Sequence, residues 1–352
     1  MKLDTGITAP EIVDVVEPEV EAVWRDYSES GVPSIISSVN MAFVIRACWT
    51  TGLAEKLINR ASLDELVEGL DLHTATNLLR YLALRGLVVE TNDAPQLTPW
   101  GRSVFSDVSI ASLGFYLEGY GPVIQRADDL LSGRVRYGQG LSRNVRALTA
   151  HHASLFHRFY TPIVLQALQG ISVSSLLDLG CGAGPLLIDT CMRHPTLRGV
   201  GLDISEDAIA LARESSVQNG LSDRLQFFVA DAFDPESWPS ECLQADAMCA
   251  VGVLHEHFRT SEDAVVDLLN RYSGLLQDSM KTLLLGEAEL RYDDRENDSD
   301  LFLVHALSGQ GFPRRRELWL DVFAKSQLRC RRVFSRPGSG PLRLVFYDLV
   351  AS

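Results

Sequence analysis

The spacing of apolar residues changes character near residue 172. Before that point apolar positions recur every three or four residues, as on a helix with one buried face. Residues 36–58 follow this rule, and Ser62 with Glu65 three positions later is a capping box that predicts a helix start. A further helix is predicted over 74–85, closed by Gly86. Residues 87–90, a turn at Asn92-Asp93 and residues 96–98 read as strand, turn, strand. Helices resume over 107–170, broken at 119–122 and 138–140.

Beyond 172, short apolar runs at 176–179, 200–204, 225–229, 245–250 and 282–287 alternate with helical segments at 185–193, 206–219 and 261–276. Alternation of this kind predicts an α/β fold with a mostly parallel, doubly wound, Rossmann-like sheet. A last strand pair is predicted at 328–334 and 342–350. Three parts are therefore expected: 1–106, 107–171 and 172–352.

Composition narrows the class. With 46% hydrophobic and 22% charged residues the chain is globular. No continuous apolar run reaches the ~18 residues of a membrane span. Acidic residues stand in the first 20 positions, where a signal peptide carries basic ones, so a soluble cytoplasmic protein is expected, with no membrane partner. Six cysteines occur without a CxxC pair, which suggests neither a zinc ribbon nor a disulfide framework. A net charge of −14 argues against a nucleic-acid partner, because phosphates would be repelled.

The strongest local signal is Leu176-Leu177-Asp178-Leu179-Gly180-Cys181-Gly182-Ala183-Gly184. An apolar strand runs into a loop with glycine at every second position, and a helix follows. Asp203 ends the next strand, where a carboxylate could accept two ribose hydroxyls, and Asp231-Ala232 follows the third. The spacing is not GxGxxG, the dinucleotide fingerprint. This constellation resembles the class I S-adenosylmethionine-dependent methyltransferases. The resemblance implies that Asp178, Gly180, Gly182 and Gly184 hold the methionine part of S-adenosyl-L-methionine, that Asp203 holds the ribose, and that Asp231 with Ala232 reads the adenine. The stretch LDELVEGLDLHTATNLLRYLALRGLVVE with LTPWGRSVF looks like the winged-helix domain of small-molecule methyltransferases. That implies a homodimer, with 1–106 as dimerisation domain and 107–171 as connecting helices and substrate lid. A DNA-binding winged-helix regulator would need a basic recognition helix, which is not found.

The fourth strand leads into Val253-Leu254-His255-Glu256-His257-Phe258. Two readings compete. In winged-helix O-methyltransferases a histidine at this place is the general base on a phenol, and His255 matches it; an imidazole suits proton abstraction near pH 7. Alternatively His305, in an apolar segment after the fifth strand with Pro313 eight positions on, joins His255 and Glu256 as a two-histidine, one-carboxylate metal set. This resembles the α-keto acid C-methyltransferases, in which a non-haem iron is held by such residues; His257 is an extra imidazole that could compete. A chelating cation would stabilise the enolate that carbon methylation requires. The main expectation is therefore methylation at carbon 3 of an α-keto acid, with His255 and His305 catalytic. The alternative is O-methylation of a small hydroxylated metabolite. Tyr116, Glu118, Tyr120 and Arg143 are the candidate substrate-binding residues. Glu118, Glu287 and Glu289 tilt the substrate towards a guanidino keto acid, 5-guanidino-2-oxopentanoate.

Overall fold

The computed structural model describes residues 12–336 and 343–352, apart from 294 and 296. It divides into two compact units, Met1–Phe105 and Ser106–Ser352.

The described part of the first unit is helical with one small ladder. Its helices are Pro18–Glu29, Val32–Thr50, Leu53–Ile58, Leu63–Val67, Leu72–Leu84 and Pro99–Val104. The single helix expected over 36–58 is broken at Gly52, whose φ of 78° starts a new helix in another direction. The Ser62–Glu65 capping box forms as expected. Val88–Val89 pairs antiparallel with Gln96–Leu97, shorter than predicted. Among the described residues Val32–Thr50 is long and apolar enough to cross a membrane, by length and composition alone. Ser34, Ser37, Ser38 and Asn40 interrupt its apolar run, so a search for a continuous run passes over it.

The second unit is built on a seven-stranded sheet. Its strands are β1 (Ser175–Leu179), β2 (Arg198–Asp203), β3 (Leu225–Val229), β4 (Ala247–Val251), β5 (Leu283–Ala288), β6 (Leu328–Ser335) and β7 (Leu344–Ala351). The order across the sheet is 6-7-5-4-1-2-3; β1 to β5 are parallel, and β7 runs antiparallel between β5 and β6. The central strands read as unbroken apolar runs because both faces are covered. Leu177, Leu179, Met248 and Leu285 pack on one face with Trp319 and Phe323. Leu176, Cys249 and Leu284 pack on the other with Leu186 and Phe227.

Helices between 107 and 168 precede the sheet. Two of them end in a single wide π-helical turn, Phe115–Gly119 and Phe156–Tyr160. Such turns are rare and concentrate at functional sites. Apolar spacing cannot distinguish them from α-helix. The acidic run of residues 293–300 would read as a solvated loop from its charge, but Asn297–Ser308 is helical and Asp298 is buried near Arg343. Residues 294 and 296 of that stretch lie outside the described residues.

Candidate active site

The carboxyl ends of β1, β2, β4 and β5 converge on one cavity of about 1220 Å³. All of its lining residues lie between Ser112 and Leu344. In an open parallel sheet this is where ligands bind.

One end of the cavity is the glycine loop. Gly180, Gly182 and Gly184 have φ of 66°, 56° and 76°. At Gly180 a side chain is excluded twice, by this backbone and by Val253, whose Cγ2 would lie 2.6 Å from an added Cβ. The loop is tied to β2 through Asp203, whose Oδ2 accepts from Gly182 N at 2.9 Å and whose Oδ1 accepts from Ser205 N at 2.9 Å. Asp231 is exposed, with Oδ1 accepting from Phe233 N. Gly180, Gly182, Asp203, Asp231 and Ala232 line the cavity. Asp178 and Gly184 are absent from that lining. Asp178 is buried, its Oδ1 accepts from Cys249 Sγ at 3.3 Å, and burial pushes its carboxyl up to about 7. An added Cβ at Gly184 would meet the Phe227 ring at 2.8 Å. The remaining cradle fits S-adenosylmethionine: a side-chain-free loop, a carboxylate at the end of β2 and an acid after β3.

The other end centres on His255, in the short helical turn Leu254–Arg259 after β4. Gly252, with φ of 68°, turns the chain at the strand end. Glu287 on the neighbouring β5 is 1% exposed and holds Leu254 and His255 at three points. Its Oε1 accepts from Leu254 N at 2.9 Å and His255 N at 3.3 Å, and its Oε2 lies 2.6 Å from His255 Nδ1. This fixes the tautomer with the proton on Nδ1 and leaves Nε2 for the cavity. His255 Nε2 is buried without a hydrogen-bond partner. Burial alone would push the imidazole pKa down. The charge and hydrogen bond of Glu287, with Glu256 nearby, outweigh it and raise the pKa above 6.5.

His305 comes to the same place. Its ring centroid is 5.4 Å from that of His255, and its Nδ1 is 2.7 Å from Leu301 O. Burial, with a contribution from His255, lowers its pKa to about 4, so the ring is neutral. The expected three-donor metal set is not assembled. Glu256 Oε1 is 4.0 Å from His255 Nε2, and the carboxylate is turned away: Oε1 accepts from Gln310 Nε2 at 2.7 Å and Oε2 from Gly311 N at 2.9 Å. His257 packs against Phe233, 4.6 Å between centroids with the rings tilted, and does not line the cavity. Among the described residues no group of three or more His, Cys, Asp or Glu could hold a metal ion. Glu256 instead clips the segment after Asn297–Ser308 onto the end of β4. Gly311 lies so close there that an added Cβ would sit 2.3 Å from His255 O and 2.8 Å from Glu256 Cα. Both are backbone atoms that cannot swing aside. Gly311→Ala is expected to cost about 1–3 kcal/mol of stability. Thermal unfolding of the two proteins checks this; an unchanged midpoint would mean the segment has room to lift.

Tyr116, Tyr120 and Arg143 line the cavity; Glu118, Glu287 and Glu289 do not. Glu118 pairs with His151 at 2.8 Å, Glu287 serves His255, and Glu289 binds Arg291 at 2.5 Å and accepts from Arg316 N at 3.0 Å. The acids expected to meet a guanidinium are engaged elsewhere. Two roles escaped the sequence reading. The role of Glu287 as the partner of His255 needed the β4–β5 adjacency, which the parallel order implies. Gln310 had no signal beyond its apolar surroundings.

Comparisons with known proteins agree with this geometry. Residues 176–277 match the family model described as "Methyltransferase domain". Over 328 residues the chain is 25% identical to Methyltransferase ungE' of Aspergillus campestris (strain IBT 28561), covering 87% of this chain and 93% of that one. The solved structure of the mitomycin 7-O-methyltransferase MmcR superposes with a TM-score of 0.65 at 21% identity, covering 94% of this chain and 100% of that one. CalO1, a methyltransferase in calicheamicin biosynthesis solved with S-adenosylhomocysteine bound, gives 0.61 at 18% identity, covering 96% and 100%. The fold is that of the Rossmann-like methyltransferases with an N-terminal helical domain. The chain is an S-adenosylmethionine-dependent methyltransferase, with the matched methyltransferase domain at residues 176–277.

Proposed function

We propose that the chain methylates a hydroxyl oxygen of a small aromatic metabolite, with His255 as general base. The observation that carries this reading is the buried, unpartnered Nε2 of His255, aimed into the cavity while Glu287 locks Nδ1. Gly180, Gly182, Asp203, Asp231 and Ala232 would hold S-adenosylmethionine, which would supply an electrophilic methyl group. His255 removes the hydroxyl proton at Nε2 as the oxygen attacks, and Glu287 stabilises the imidazolium that forms. Phe115, Tyr116, Leu148 and Phe156 offer apolar lining against which the acceptor packs away from water. The O-methyltransferase MmcR among the structural neighbours supports oxygen as the acceptor. Carbon methylation of an α-keto acid is the second reading. Its support is the convergence of His255 and His305, but the carboxylate that would complete an iron site faces Gln310 and Gly311.

The test uses S-adenosylmethionine labelled in its methyl group, presented with a panel of hydroxylated aromatic acids and phenols and, separately, of α-keto acids. Label on oxygen of a phenol is the expected result. Label on carbon 3 of a keto acid, abolished by chelators, would replace this reading by the second.

The assembly proposed is a homodimer formed through the first unit. Helices Pro18–Glu29 and Val32–Thr50 expose Val23, Trp24, Ile35, Ile36 and Phe43. Exposed apolar side chains in this number on two consecutive helices support an association surface. The native mass is expected at twice 38.9 kDa; a monomer at micromolar concentration would contradict the assignment.

A further inference from the structure

We infer that the acceptor carries a carboxylate, and that Arg143 is the residue that selects it. This deepens the O-methylation reading and rests on it.

Arg143 stands just before the helix Val145–Leu155 and lines the cavity that His255 faces. A guanidinium carries five N–H donors. Nη1 donates to Tyr120 Oη at 3.0 Å, and among the described residues Arg143 makes no ion pair with a carboxylate. A partly buried guanidinium with N–H donors left over gains from a ligand that accepts from them. Glu256 acts on Arg143 through space but makes no ion pair with it, and its two oxygens accept hydrogen bonds from Gln310 and Gly311.

The guanidinium is also held in place. Tyr120 is buried, and its hydroxyl donates to Gln310 Oε1 at 2.9 Å. Ser308 Oγ donates to the same oxygen at 2.8 Å, and Gln310 Nε2 donates to Glu256. The chain Arg143–Tyr120–Gln310–Glu256 thus runs from the helical part of the cavity to the residue beside His255. It sets the cation at a defined place relative to the base. Phe115, Leu148 and Phe156 supply apolar lining to the same cavity, which Arg136, Arg259 and Glu256 also line, and burial, with Arg143 itself, lowers the His152 pKa to about 4. A fixed fork of donors in such surroundings matches a planar carboxylate, bound by two N–H groups at once. Lysine would offer a point charge without that fork. The acceptor class that follows is a hydroxylated aryl carboxylic acid. Its ring lies among the aromatic side chains, its acid on Arg143 and its hydroxyl at His255.

Titration calorimetry on the full-length protein saturated with S-adenosylhomocysteine tests this, using 3-hydroxy-2-naphthoate as the acid and 2-naphthol as its neutral counterpart. The acid is expected to bind about 10–100-fold more tightly, the usual worth of a charge-assisted hydrogen bond. Arg143→Gln is expected to remove that difference by weakening the acid alone. Arg143→Lys is expected to keep part of it and serves if the glutamine variant does not fold. Equal affinities for the two probes, absence of binding by the acid, or a preference that survives both substitutions overturns the assignment. So does a loss of S-adenosylhomocysteine affinity in Arg143→Gln, which would give the guanidinium to the cofactor carboxylate. The two readings fail separately. Rapid methylation of neutral phenols without acid preference sinks this inference alone. Tight binding of the acid with label appearing on carbon sinks the oxygen assignment alone.

Discussion

Replacing His255 by alanine is expected to lower kcat by about 10²–10⁴-fold, the usual worth of a positioned general base. The affinity for S-adenosylhomocysteine should stay within about twofold, since the change removes an interaction used in the chemical step. Calorimetry and single-turnover rates separate the two quantities. The pH profile is a second and independent readout. The imidazole pKa lies above 6.5, so the base is protonated and idle at pH 6, and kcat/KM should rise as pH increases through the raised value. Stability should move the other way. A histidine whose pKa is raised by folding stabilises the protein below its unfolded pKa of about 6.5 and loses that contribution as pH rises through the folded value. The unfolding midpoint of the ligand-free protein is therefore expected to fall over the window in which the rate climbs. Glu287→Gln should shift the kinetic limb to lower pH, because the charge that raises the pKa is gone. A full rate for His255→Ala, or a limb that ignores the loss of Glu287, would take the base role away from this pair.

Asp203→Ala is expected to weaken S-adenosylhomocysteine binding by about 100-fold or more. A carboxylate that accepts two hydroxyl hydrogen bonds contributes about 1.5–3 kcal/mol through each. The same side chain also organises the loop, through Gly182 N on Oδ2 and Ser205 N on Oδ1. Asp203→Asn keeps one acceptor oxygen and should lose less. Unfolding midpoints measured without ligand distinguish a lost contact from a loosened loop. An alanine variant that binds the cofactor product as tightly as the parent would show that the ribose is held elsewhere.

The legible parts of this protein are those written by local periodicity. The change from helical spacing to short apolar runs near 172 announced a parallel sheet, because strands buried on both faces need continuous apolar side chains. Glycines at 180, 182 and 184 marked the loop, because an L side chain resists the positive φ those positions adopt. Asp203 and Asp231 were legible because strand ends in a doubly wound sheet occur in a fixed order along the chain. The meeting of His255 and His305, 50 positions apart, was also foreseeable once both were assigned to the same edge of the sheet.

What escaped such reading depends on where side chains point. Glu256 was expected to close a metal site with His255 and His305, yet it turns to Gln310 and Gly311, because a backbone N–H and an amide reach it in the folded chain. Glu287 looked like a ligand for a cationic substrate and became the partner of His255, 2.6 Å away, because β4 and β5 are neighbours. Periodicity along a chain records which face of an element is buried. It carries no record of which polar groups meet between elements, since those meetings are set by hydrogen-bond geometry after the sheet and helices have packed.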